Sequence, residues 1–107
     1  KGETLEIVEH CEDKKGGRFC WCFEGDTVDF SAEYIGLKAK KSEIACGRSI
    51  CKEHHGEYFA KGPGKLILKF RNSSTEQVLR VRYALFYYSH ALLKTNEIIE
   101  AKAKKHF

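Results

Sequence analysis

"KLILKFRNSSTEQVLRVRY", residues 65 to 83, decides how the rest of the chain is read. Taken at period two, Leu66, Leu68 and Phe70 point one way, while Lys65, Lys69 and Arg71 point the other. After a polar break, Leu79, Val81 and Tyr83 repeat the apolar face, and Arg80 and Arg82 repeat the basic one. Such alternation marks half-buried strands, so the stretch predicts a β-hairpin with a cationic outer side. With Asn72 to Gln77 as the loop, the apolar faces coincide when Lys69 sits opposite Arg80. Like charges directly opposite cost something under ~1 kcal/mol, so a neighbouring strand or an anionic ligand is expected to offset them.

The same period recurs upstream. "TLEIVEH" sets Leu5 and Ile7 against Glu6. "RFCWCFE" sets Phe19, Trp21 and Phe23 against Cys20 and Cys22, and Trp21 between two phenylalanines reads as a core anchor. "GD" at 25 and 26 marks a turn or bulge before "TVDFSAEYIG", where Val28, Phe30, Ala32 and Tyr34 face inward and Asp29, Ser31 and Glu33 outward. Lys38 to His55 is polar and irregular, which predicts a long loop with a short strand or two. Gly62-Pro63-Gly64 must turn, because proline cannot donate to a ladder.

Beyond Tyr88 the pattern changes. Ser89 can cap a helix, "HALLKTNEIIEAKAKK" holds strong helix formers, and Lys102, Lys104 and Lys105 complement the helix dipole. The expected organisation is a β-domain over 1–88 followed by a helix or linker over 89–107. Strands that alternate, with no βαβ spacing, argue for an all-β antiparallel sandwich of the jelly-roll-like kind with a C-terminal helix.

Composition agrees with one small packed domain: 107 residues, 42% apolar and 12% aromatic. The net charge of +4 is mild for a nucleic-acid binder, so no nucleic acid is expected as a partner. No apolar run approaches the ~20 residues of a membrane span. The chain begins at Lys1 and contains no methionine, so an excised domain of a longer protein is expected. Five cysteines, at 11, 20, 22, 46 and 51, form an odd set, which favours reduced thiols over a secreted scaffold. "NSS" at 72–74 is a formal glycosylation acceptor and serves equally as turn chemistry.

Catalytic and metal readings are weak. "CGRSICKEHH" offers Cys46, Cys51 and His54 or His55, with Cys20 or Cys22 as a fourth ligand, but the spacings suit zinc badly. A disulfide between Cys46 and Cys51 is the extracellular alternative. Nothing in the sequence pairs a particular cysteine with a particular histidine, and "GPGK" lacks the length of a phosphate loop. No enzyme, no metal and no cofactor are expected. The candidate contact for an anionic partner is Lys65, Lys69, Arg71, Arg80 and Arg82, extended by Lys38, Lys40, Lys41, Arg48 and Lys52. The competing reading is a solvated mosaic in which Glu6, Asp29 and Glu33 neutralise those cations.

"GEYFAKGPGKLILKFRNSSTEQVLRVRY" resembles the closing segment of GOLD domains, the Golgi-dynamics β-sandwiches. Gly64, Leu66, Leu68, Phe70, Asn72 and Ser74 match the family's "G-x-L/Y-x-L-x-F-x-N" strand and the serine after it, and Val81 and Tyr83 fit its final strand. "FCWCFEGDTVDFSAEY" is similar to the tryptophan-bearing strand and its aromatic-rich successor. The resemblance implies a noncatalytic protein-interaction module in Golgi and secretory-pathway traffic, with lipid surfaces as further partners. Lumenal members carry a cysteine in the "LxF" strand; here Leu68 and Lys69 stand there. A cytoplasmic, membrane-associated member is therefore implied, with a secreted or lumenal one as the alternative. Binding of an anionic lipid or acidic ligand, and a secreted disulfide-linked module, are the rival functions.

Overall fold

Among the described residues five strands form: β1 (Thr4–Cys11), β2 (Gly17–Gly36), β3 (Ser42–Ala60), β4 (Gly64–Arg71) and β5 (Val81–Ser89). The computed structural model describes residues 3–38, 41–73 and 76–90, so the helix expected over 89–107 lies outside them apart from its first residues. Strand accounts for 76% of what is described, and every pairing is antiparallel. The sheet runs β1-β4-β2-β3, and β5 pairs with β2 as well.

β2 organises the molecule. Its first half, Gly17 to Gly25, lies between β3 and β5, and its second half, Asp29 to Gly36, lies between β3 and β4. Between the halves the register slips: β2 runs from Glu24 to Val28 while β3 runs only from Glu53 to Cys51. The surplus residues make a bulge, which bends a strand and raises its twist. Gly25 sits at this bend with φ +146, and a Cβ there would lie 2.3 Å from the carbonyl oxygen of Arg80. Only glycine accepts both conditions. The "GD" signal is thus a bulge inside one long strand rather than a turn between two.

Bending brings the inner faces of the two halves together. Phe19, Trp21 and Phe23 come from one half, and Val28, Phe30, Ala32 and Tyr34 from the other, and all are buried as the period-two pattern predicts. Ring centroids lie 4.7 Å apart for Phe23 and Phe30, 6.0 Å for Phe19 and Tyr34, and 5.1 Å for Phe23 and Phe70. Leu66 and Leu68 of β4 close the core with no exposed surface. Each such side chain contributes roughly 1.5–3 kcal/mol by leaving water. Tyr83 reaches the Phe70 ring at 6.2 Å yet stays 48% exposed, so it borders the core rather than filling it.

Two expectations are corrected. The stretch 65–83 is not a hairpin: β4 and β5 do not pair with each other, because each takes a different half of β2. Lys69 stands opposite Glu6 and Ser31 rather than Arg80, which replaces a repulsive pair by an attractive one. The segment read as a loop is largely β3, which follows β2 for almost its full length. Among the described residues β3 pairs on one side only and is mostly exposed, so its ladder to β2, not an apolar face, makes it a strand.

Candidate functional site

β4 presents Lys65, Ile67, Lys69 and Arg71 on the outer face, and its two neighbours fix what each meets. Lys65 lies opposite His10 and Ile35, Ile67 opposite Val8 and Glu33, Lys69 opposite Glu6 and Ser31, and Arg71 opposite Thr4 and Asp29. Lys69 Nζ pairs with Glu33 at 2.8 Å, and Ser42 donates to the same carboxylate at 2.7 Å. Both contacts hold Glu33 below the usual carboxylate range, and Lys65 adds to the effect. Lys69 is raised by Glu33, while the nearby Arg71 pushes it down. Arg48 of β3 donates from Nε to Asp29 at 2.8 Å. That carboxylate is only 7% exposed although it points to the outer side.

The five candidate cations therefore divide. Lys65, Lys69 and Arg71 share one face, whereas Arg82 pairs with Glu24 beyond the bend. Arg80 stands at the bend itself, where its backbone N–H donates to Asp26 Oδ2 at 2.9 Å. Arg48, treated in the sequence as an extension of the patch, belongs at its centre. Thr4, Asp29, Ser31, Arg48, Lys69 and Arg71 surround a shallow recess of about 140 Å³. Among the described residues Arg71 makes no ion pair. The expected acids Glu6, Asp29 and Glu33 do stand beside the cations, and the ion pairs they form are with Lys69 and Arg48 rather than Arg71.

A second cluster lies inside. Trp21 donates from Nε1 to His54 Nδ1 at 3.3 Å, and His54 Nε2 lies 3.8 Å from Cys46 Sγ. With Nδ1 accepting, the neutral ring carries its proton on Nε2 and can only donate toward sulfur. Burial lowers the His54 pKa, with His55 adding to it, and burial raises that of the Cys46 thiol. These shifts oppose a thiolate–imidazolium pair, which needs the reverse of both. His54 is a half-buried histidine stacked on Trp21 and Phe23 at the edge of the core, and Cys46 is a partly buried thiol packed against that core.

The other cysteines range from buried Cys11 to exposed Cys22. All five are free, and Cys46 and Cys51 stand opposite Ala32 and Val28. Those positions are four residues apart on β2, about 13 Å along a strand, which is outside disulfide reach. Among the described residues no group of three or more His, Cys, Asp or Glu side chains is placed to hold a metal ion, and no helix is long and apolar enough to cross a membrane. Compared with known proteins, the chain matches no family model and no curated sequence.

Proposed function

We propose that this chain is a noncatalytic protein-interaction module in membrane traffic, a GOLD-like β-sandwich that meets an acidic stretch of its partner through the outer face of β4. The ring contacts between the two halves of the bent sheet support reading it as two packed layers. The assignment to Golgi and secretory-pathway traffic rests on the resemblance of residues 19–83 to GOLD domains. The single observation that carries the contact is the alignment of Lys65, Lys69 and Arg71 on one face with Arg48 beside them. Charges so placed steer an acidic partner and set its register more than they add raw affinity.

The test compares proteins retained from a Golgi-enriched membrane fraction by the wild-type chain and by the Lys65→Glu/Arg71→Glu variant. Secretory-pathway proteins enriched by the first and lost from the second, with retention falling as salt rises, are the expected result. The same proteins retained by both variants would remove this face from the account, and an absence of trafficking proteins would remove the pathway.

A further inference from the structure

We propose that the recess bounded by Thr4, Asp29, Ser31, Arg48, Lys69 and Arg71 is a binding site for a phosphate monoester dianion. The proposal rests on the reading of this face as an acidic-partner surface and names the chemistry at its centre.

The sheet builds the site from β1, β2, β3 and β4. Arg71 and Thr4 lie directly opposite each other, as do Arg71 and Asp29, and two residue pairs further along Lys69 lies opposite Ser31. Arg48 enters from β3, the strand on the other side of β2. Asp29 is the organising group. Its carboxylate is buried and engages Arg48 through Nε, which anchors the guanidinium of a side chain that is 68% accessible. An arginine held in this way has less freedom to lose when it binds an anion.

Charge and shape both favour phosphate. Arg48, Lys69 and Arg71 line the recess together with Asp29; Glu33 pairs with Lys69 from its edge, and Lys69 and Arg71 still repel one another. A phosphate monoester carries about −1.5 to −2 at neutral pH and presents three acceptor oxygens. Those oxygens suit cations arriving from separate strands together with the Thr4 and Ser31 hydroxyls. A lone carboxylate, planar and with two oxygens, satisfies one guanidinium fork and leaves the other cations facing each other. The same dianion occurs on a soluble metabolite and on a lipid headgroup, and the recess is open to either.

The full chain, labelled with ¹⁵N, is titrated with glycerol 3-phosphate and separately with a glutamate-rich peptide, following backbone amide shifts. Cosedimentation with phosphatidylcholine vesicles containing phosphatidic acid or phosphatidylserine distinguishes a headgroup from a soluble ligand. Saturable shifts at Thr4, Ser31 and Arg71 with glycerol 3-phosphate, or preference for phosphatidic acid, are the expected results. Arg71→Gln should weaken binding roughly ten- to hundredfold, the loss of a charge-assisted contact, and Arg82→Gln should leave it unchanged. Arg71 is in no ion pair among the described residues, so this variant keeps its fold. Arg48→Lys, which retains the charge and loses the Nε contact, should fall between. Equal response to phosphate and to the peptide, or no effect of Arg71→Gln, overturns the site while the acidic-partner reading stands. No response to any probe overturns both.

Discussion

At the scale of single residues, Phe30 and Trp21 show what holds the bend closed. Phe30 has no exposed surface and touches Phe23, Phe70, His54 and Trp21. Phe30→Ala should cost about 3–5 kcal/mol in urea unfolding, because the rings around it come from the first half of β2, from β3 and from β4 and cannot all collapse inward. Gly56 carries the tryptophan: a Cβ there would lie 2.7 Å from the Trp21 ring. Gly56→Ala should cost roughly 1–3 kcal/mol and shift the fluorescence of Trp21, the only tryptophan in the chain. His54 adds a pH dependence. Its folded pKa lies below the ordinary value of 6.5, so the unfolded chain takes up the proton first. Stability is complete above that value and falls as pH drops through it toward the folded pKa. His54→Gln, measured by urea unfolding at pH 7.5 and 5.5, should flatten that decline; an unchanged slope would place the proton elsewhere.

At the scale of elements, strands whose sequence alternates by polarity were legible and strands defined by pairing alone were not. β1, β4 and both halves of β2 announce themselves by period two, with large apolar residues on one face and charged or small residues on the other. β3 does not, since its larger apolar residues Ile44, Ile50 and Phe59 are exposed and polar or charged residues such as Glu43, Arg48, Lys52 and Glu53 are scattered along it. The partner of β4 was legible in chemistry but not in identity: like charges called for a compensating neighbour, and Glu6 and Glu33 supply it from strands remote in sequence. The place of Arg48 had no local signal, because its partner Asp29 lies nineteen residues away. A double-mutant cycle on Lys69 and Glu33 should give a coupling under ~1 kcal/mol, as befits a partly solvated pair. That coupling should vanish as acid protonates Glu33, since its lowered pKa contributes stability only above the carboxylate range. At the bend, Gly25→Ala should destabilise through both its positive φ and the Arg80 carbonyl, whereas Gly36→Ala, where a Cβ meets nothing, should cost far less.

At the scale of the whole molecule, one strand with three partners places two surfaces with different tasks. The inner faces meet ring against ring, and the outer face of the second half carries cations in register with acids from β1 and β2. This division depends on β4 and β5 occupying different halves of β2, which removes Arg80 and Arg82 from the cationic row and admits Arg48. Cross-strand nuclear Overhauser contacts measure that topology directly. Lys69 should show contacts to Glu6 and Ser31, and Tyr87 to Phe19. Contacts between Lys69 and Arg80, or any continuous ladder between 64–71 and 81–89, would contradict the fold and with it the surface built upon it.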